Sequence, residues 1–422
     1  MPHPSDHSSQ TTPATSSLKG SGAALEQARR DKLDRLRSLG IDPWGKRFDG
    51  VIPIASVRAT GESLALPTEK PAAAVTGDTP SVAAPPAPPS AATIPSSNEE
   101  GPTVRVAGRI MLLRSAGSLV FLDVADRTGR IQIMLGKKQV GPDIWKIVDC
   151  LDLGDIIGVD GRLGHSKKGE LTVFAANLEF LTKSLETPPD KFHGLVDVDL
   201  RQRMRYLDLI HGEGVRDRFI ARSQIVAAVR RVLTTRGYLE VEGPTLQESA
   251  GGAAARPFKT HHNALDIPLV LRIALELHLK RLLVGGMDRV FELGRVYRNE
   301  GVSPRHNPEF TMLEAYEAYG DYRTMMDLAE AILVESARVA GTPTHFEWLG
   351  HTIDLTPPFR RARYDDLLAE VTGCNPSDPA SVAAAASACG IQTAGRHCDI
   401  VKSDLFEARV EETLNGPIFV ID

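Results

Sequence analysis

Cysteine is scarce in this chain. Four residues in 422, Cys150, Cys374, Cys389 and Cys398, show no CxxC spacing. That excludes a disulfide scaffold and fits a reduced, cytoplasmic compartment. No apolar run approaches bilayer-spanning length, so no membrane partner is expected. The first twenty residues are rich in Ser and Thr and hold no apolar segment, so no signal peptide is expected. Positive charge is not in excess either: 49 Lys+Arg stand against 54 Asp+Glu, a formal net charge of −5. This excludes a global basic field that draws in nucleic acid, and any RNA contact must come from local patches. There is no internal repeat, which excludes a solenoid.

What is present is an ordinary globular composition, 42% hydrophobic and 24% charged, in a chain long enough for two or three domains. Residues 1–20 are expected to lack structure. Residues 23–39 suit a charged helix with Leu25, Leu33, Leu36 and Leu39 on or near one face, ended by Gly40. The stretch 63–100 is Pro/Ala-rich, with Pro80, Pro85, Pro86, Pro88 and Pro89 close together, and reads as a linker that buries no core.

From Val104 the pattern alternates. Val104, Val106, Gly108 and Ile110 are followed by Phe121–Val124, then Ile131, Ile133 and Leu135, then Ile156–Val159 and Leu171–Val173. Five short strands at this spacing suit a small barrel, an oligonucleotide-binding one being a candidate. After a Pro- and charge-rich connection at 183–217, the period becomes helical. Ile225, Val226, Val229, Val232 and Leu233 form one stripe, closed by Gly237, and Tyr238–Val241 reads as a strand stopped by Pro244. Residues 324–340 and 363–414 read as helical, the latter with an Ala-rich middle.

The densest chemistry lies between two strand-like runs, Val290–Tyr297 and Phe310–Tyr319. The loop Arg298–Phe310 carries Arg298, Glu300, Arg305, His306, Asn307 and Glu309. A hairpin turn needs Gly, Asn or Pro, not a cluster of cations and anions. Period two places Phe310, Met312, Glu314, Tyr316 and Ala318 on one face, and Glu292, Gly294, Val296 and Arg298 on one face of the partner strand. An arginine at a strand end can grip a carboxylate or phosphate bidentately. An aromatic ring such as Phe310 can stack on a base for roughly 1–3 kcal/mol. A pocketed Glu314 demands a cation. On charge alone the loop reads equally as a salt-bridged surface turn.

The longer strings narrow the choice. Phe291 to Tyr322 closely resembles the second signature motif of class II lysyl-tRNA synthetases. The resemblance runs over nearly all of 104–360 and includes Arg201-Gln202-Arg203-Met204-Arg205-Tyr206-Leu207-Asp208-Leu209, Gly251–Phe258, His261–Asp266 and Asp354–Phe359. It implies an α+β fold: an N-terminal OB-fold β-barrel followed by a class II aminoacyl-tRNA synthetase catalytic domain, an antiparallel sheet with flanking helices. The implied domains are an N-terminal extension with one helix (1–62), the linker (63–100), an anticodon-binding barrel (101–183) and the catalytic domain (184–422). The resemblance further implies ATP-dependent activation of lysine to lysyl-adenylate and transfer to tRNA(Lys), by a homodimer formed through the 219–244 region. ATP would be bound by Arg298, Glu300, Arg305, His306, Asn307 and Phe310. Lysine would be bound by Gly252, Glu276, Arg298, Glu314 and Tyr316, with Arg298 as the catalytic group. The anticodon would be met by Arg114, Phe121 and Gln132.

Plainer roles compete with several of these. Glu276 also suits the acidic start of a helix, Gly251-Gly252 a plain turn, and Phe121 a core position. Period two over Leu271–Glu276 would put Arg272, Ala274 and Glu276 on one face. His261-His262 lacks a third ligand at zinc spacing and reads as structural, so no metal ligand is assigned. The sequence departs from the family at Leu113, where a basic residue is usual, and at Leu275 and His278, where Pro and Tyr are usual, so the contact to the lysine amino group is open to a shift. Magnesium ligands and the third motif are expected beyond Gly416–Asp422, so the chain reads as a fragment, inactive alone, with an open sheet edge. Two other functions stand beside this one. An aspartate or asparagine enzyme of the same subclass is disfavoured by Glu314. A non-catalytic tRNA-binding or regulatory paralogue is supported by the missing third motif.

Overall fold

The structure is a computed structural model that describes residues 18–64, 101–186, 197–303 and 305–422. Most of the expected linker (65–100), residues 1–17, part of the 183–217 connection (187–196) and Pro304 lie outside the described residues. The chain divides into two compact units, Met1–Val198 and Asp199–Asp422. No helix among the described residues is long and apolar enough to cross a membrane.

The first unit is built on a closed barrel. Strands β1 (Thr103–Ala116), β2 (Leu119–Ala125), β3 (Arg130–Gly136), β4 (Ile156–His165) and β5 (Leu171–Thr182) close in the order β1-β2-β3-β5-β4. The alternation read from the sequence is the barrel's inside and outside. Leu122, Ile131, Ile133, Leu135, Ile157, Leu163 and Val173 are almost fully buried in one cluster, each such side chain contributing about 1.5–3 kcal/mol of transfer free energy. Between β3 and β4 runs α3 (Lys137–Val148), broken at Gly141 and Pro142.

Two helices of the N-terminal extension close on this barrel, α1 (Leu18–Ser38) and α2 (Ile54–Gly61), where the sequence suggests one. In α1, Leu33 and Leu36 are buried as expected, but Leu25 and Leu39 are exposed. The inward stripe runs through Arg29 instead, whose Nη1 donates to the carbonyls of Leu153 (3.0 Å) and Ser184 (2.9 Å). Below it, the buried Lys183 Nζ donates to Asp152 (2.6 Å), Asp155 (2.8 Å) and the Cys150 carbonyl (3.0 Å), while Lys32 reaches the other oxygen of Asp152 at 2.6 Å. Burial pushes the Asp155 carboxyl up, against the pull of Lys183. α2 is too short for its period to stand out in the sequence. Its Ile54 and Val57 belong to the barrel core.

The second unit begins with α4 (Val198–Arg203) and α5 (Arg205–His211). Asp208 is buried there and accepts from Arg201 Nε at 2.7 Å and Arg205 Nη1 at 2.5 Å, which explains the charge density of that string. α6 (Val215–Thr235) lays Val229, Val232 and Leu233 against Phe291 and Leu328. β6 (Leu239–Glu240) joins a small sheet as the parallel neighbour of β10 (Arg289–Tyr297), which pairs antiparallel with β11 (Glu309–Glu317). A second sheet has the order β7 (Leu246–Gln247), β9 (Ile267–Leu271), β8 (Lys259–His262), and α7 (Glu276–Val284) follows it. α8 (Tyr322–Val339) starts at Asp321 with a capping box to Thr324. A hairpin of β12 (His345–Trp348) and β13 (His351–Asp354) follows. The helical stretch then resolves into α9 (Tyr364–Thr372), α10 (Pro379–Ala388) and α11 (Cys398–Arg409), with their own core around Leu368, Val382 and Leu405. The strand β15 (Ile418–Ile421) pairs parallel with β14 (Arg360–Arg363), not with β10 or β11. β11 is therefore an edge strand among the described residues.

Candidate functional site

The register of the β10–β11 hairpin pairs Val296 with Phe310, Gly294 with Met312, Glu292 with Glu314 and Val290 with Tyr316. Directly opposed residues share a face, so the two carboxylates and the phenol do stand together. They differ in fate. Glu292 is buried and already neutralised: its Oε1 lies 2.5 Å from Arg272 Nη1, and its Oε2 accepts from the Gly243 amide at 3.0 Å. Arg272 also donates to the carbonyls of Arg295 (2.8 Å) and Gly243 (3.0 Å). Gly294 is required beside this pair, since a Cβ there would sit 2.5 Å from Arg272 Nη2.

Glu314 has only neutral donors. Its Oε1 accepts from the Leu275 amide at 3.0 Å and its Oε2 from the Tyr316 hydroxyl at 2.9 Å. No Lys or Arg among the described residues pairs with it. Burial pushes the Tyr316 phenol well above its ordinary value, helped by its bond to Glu314 and by the charges of Glu314 and Glu276. The phenol is thus held as a donor. Met312, Phe310 and Tyr316 are partly buried against the cluster of Leu275, Leu279, Val290 and Val296.

Glu276 departs from the expected strand face. β9 ends at Leu271, and Glu276 is the first residue of α7. It still reaches the site. Gly252 has φ +86°, and a Cβ there would lie 3.1 Å from both the Ala274 and Glu276 Cβ atoms and 3.6 Å from Glu276 Oε2. Gly251-Gly252 is therefore more than a plain turn: the second glycine opens space against Glu276. The other oxygen, Oε1, is held by Lys280 one turn along at 2.5 Å. Leu275, one of the departures from the family pattern, contributes its backbone N–H, which a proline would lack. No side-chain pattern signals that role.

In the loop, the half-buried Arg298 donates from Nε to the Ile273 carbonyl at 3.4 Å, and its guanidinium lies 5.2 Å from the centre of the Phe310 ring. Backbone bonds Arg298 N to Pro308 O (2.8 Å) and Asn299 N to Arg256 O (2.7 Å) fix its base. Ser303 and His306 close the tip through paired backbone bonds and an Oγ···Nδ1 contact of 2.9 Å. Glu300, Arg305, His306 and Asn307 are all exposed there. They make no ion pair with each other, and the loop's ion pair among the described residues is at its base, Glu309 with Arg295 at 3.6 Å, so the exposed tip is not a salt-bridged turn. His261 contacts Asp266 at 3.0 Å and His262 accepts from the Leu265 amide at 3.3 Å, a structural use of the pair.

On the barrel, Arg114 is directly opposite Phe121, and Gln132 directly opposite Asp123. Val120, Leu122 and Val124 point inward, so Phe121 and Asp123 point outward and Phe121 is only half-buried. The core reading of Phe121 is corrected: its two chain neighbours fill the core instead. Gln132 is buried at the foot of this outer face, donating to Glu170 at 2.7 Å and accepting from Thr172 at 2.9 Å. Arg114 stands 4.0 Å from Asp123 Oδ1, which has no hydrogen-bond partner although buried. Asp123 and Glu170 join this face without having been singled out in the sequence, though period two already places Asp123 two residues from Phe121.

Residues 197–422 match the family described as tRNA synthetases class II (D, K and N), and residues 104–181 match the OB-fold nucleic acid binding domain. The chain is 42% identical over 403 residues to the lysine–tRNA ligase of Moorella thermoacetica, covering 94% of this chain and 75% of the relative. It is 43% identical over 404 residues to that of Bacillus subtilis, covering 93% and 74%. With that of a Synechococcus species it shares 48% over 336 residues, covering 78% and 67%. These matches extend through the barrel face and the Glu314 face alike, and the chain belongs to the lysine–tRNA ligases of the class II tRNA synthetases.

Proposed function

We propose that the chain joins lysine to tRNA(Lys), with residues 101–183 reading the anticodon and residues 184–422 carrying the chemistry. The lysine carboxylate attacks the α-phosphate of ATP, forming lysyl-adenylate and releasing pyrophosphate. The terminal adenosine of the tRNA then takes the lysyl group and AMP leaves. Such a reaction is mostly positioning and neutralisation of phosphate charge. Arg298 bridges the lysine carboxylate and the α-phosphate. Phe310 stacks on adenine, with Glu300, His306 and Asn307 at its edge and Arg305 along the triphosphate. Gly252 and Glu276 receive the α-amino group. Arg114, Phe121 and Gln132 meet the splayed anticodon bases. The exposed Phe219 and Ile220 of α6, with Leu239 and Leu246, support pairing as a homodimer. Four free thiols suit the cytoplasm.

The observation that carries the lysine reading is Glu314, a carboxylate fixed by two neutral donors with no cation of its own. The ε-ammonium of lysine supplies that cation, and an anionic aspartate side chain would be repelled. ATP is a substrate, and magnesium is its expected companion. Among the described residues no group of three or more His, Cys, Asp or Glu is placed to hold a metal ion. Magnesium on a nucleotide is commonly held by one or two carboxylates together with the phosphates themselves.

Lysine-dependent ATP–pyrophosphate exchange by a lysine–tRNA ligase that contains this chain and carries Glu314→Gln tests the reading. Replacing a charge-assisted contact by a neutral one costs about 1.5–3 kcal/mol, so the lysine KM should rise roughly ten- to a hundredfold. An unchanged lysine KM and kcat would remove Glu314 from the site.

A further inference from the structure

The geometry points to a phosphate clamp on the barrel, built jointly by the extension helix α2 and the β2–β3 turn, that grips the backbone of the tRNA anticodon stem-loop beside the bases read by Phe121 and Gln132. It rests on the reading of the barrel as the anticodon-binding part.

Two arginines, Arg58 and Arg130, carry the inference, with Arg127 on the same turn. Arg127 and Arg130 lie on and beside the β2–β3 turn, and Arg58 lies on α2. Arg58 Nη1 donates to the Arg130 carbonyl at 3.1 Å, which brings the two guanidinium-bearing residues side by side. No carboxylate among the described residues pairs with Arg58, Arg127 or Arg130. Like charges gathered without a counterion are unfavourable by themselves and attract an anion. Arg58 and Arg130 line one open depression of about 510 Å³ together with Thr128 and Gly129. Glu62 is the one acid on that rim, and it forms no ion pair there.

Position commits the partner. On β3, Arg130 and Gln132 are two residues apart and face the same way, about 7 Å along the strand. The outer face carrying Phe121, Asp123 and Gln132 therefore runs directly into Arg130 and then Arg58. A chain whose bases are splayed on that face must pass its phosphates along the rim. The net charge of −5 supplies no global attraction, so local cations must do it.

The clamp is also held rigid. Asp126 Oδ1 accepts from the amides of Thr128 (2.6 Å) and Gly129 (2.9 Å) and from the Thr128 hydroxyl (2.7 Å). Asp126 Oδ2 accepts from the Ile54 amide at 2.9 Å, and Thr128 Oγ1 from the Ala55 amide at 3.0 Å. The turn thereby caps the start of α2, fixing Arg58 against Arg130 before any ligand arrives. Such preorganisation lowers the entropy lost on binding.

Fluorescence anisotropy with a labelled tRNA(Lys) transcript, titrated at several KCl concentrations, tests the clamp. The proteins compared are wild type, Arg58→Gln, Arg130→Gln and the double variant. Each arginine–phosphate pairing removed should lower the slope of log K against log salt by about 0.7–0.9, so the double variant should lose about 1.4–1.8. Its affinity at low salt should fall on the order of tenfold, while its preference for the lysine anticodon over an exchanged anticodon stays as in wild type. A double variant with wild-type slope and affinity, alongside a wild type that reads the anticodon, would overturn the clamp alone. A wild type indifferent to the anticodon would overturn the barrel reading, and the clamp with it. Both side chains are exposed and a circular dichroism melt checks that the variants fold.

Discussion

Replacing Glu292 by Leu probes the frame beneath the lysine face. Glu292 and Arg272 are only 3% and 5% exposed, and their charged atoms lie 2.5 Å apart. Removing one partner of a buried pair leaves an uncompensated charge and costs about 3–5 kcal/mol. The Gly243 amide loses its acceptor at the same time, a cost that overlaps the first rather than adding to it. The expected loss is therefore about 3–5 kcal/mol, read by hydrogen exchange at the amides of β10 and β11 in increasing urea. The double variant Arg272→Met, Glu292→Leu removes the stranded charge, so it should be more stable than Glu292→Leu alone. Catalysis should suffer as well. With Glu292 gone, the nearest carboxylate across the ladder is Glu314, its direct partner in register. The freed guanidinium should turn to it and compete with substrate, raising the lysine KM. A stability loss below about 1 kcal/mol, or a double variant weaker than the single one, would refute this account of the pair.

Gly252→Ala forces a side chain into a left-handed backbone and against Glu276, at a cost of about 1–2 kcal/mol; the lysine KM in pyrophosphate exchange should rise about tenfold, and an unchanged value would detach Gly252 from the amino-group site. Burial tends to raise the Asp126 carboxyl, but its bonds from Ile54, Thr128 and Gly129 hold it below the usual range. Its stabilising contribution is thus complete above the unfolded-state value of about 4 and is lost as pH falls through the lower folded value. The stability gap between wild type and Asp126→Asn, measured in urea, should be wide at pH 7 and narrow below about pH 4; a constant gap would count against it.

Much of this was legible from period alone. Alternation marked the barrel strands and put Glu314 and Tyr316 on one face of theirs, because a strand admits only two sides; that Leu122 rather than Phe121 turns inward, and that Glu292 stands opposite Glu314, came from the structure. What period cannot tell is where it stops. The alternation through Leu271–Glu276 reads as a continuing strand, yet the chain leaves β9 at Leu271 and turns into α7. Gly252 still meets Glu276 because a left-handed turn brings it there. Backbone donors were invisible for a different reason: the Leu275 amide on Glu314 depends on fold, and any residue but proline could supply it. In α1, hydrophobicity pointed to Leu25 and Leu39, whereas the carbonyls of Leu153 and Ser184 selected Arg29.

The five strands do not own their interior. Leu36 of α1 and both Ile54 and Val57 of α2 sit inside the same apolar cluster as the strand residues. Arg29 and Lys32 meanwhile peg α1 by directional bonds that a slide of one turn would break. A greasy helix could settle in several registers; this one has a single seat. The smallest transplantable module is therefore discontinuous in sequence, two helices from before residue 62 together with strands from after residue 102. A graft of the strands alone would expose in its new host the apolar surface that Leu36, Ile54 and Val57 cover here.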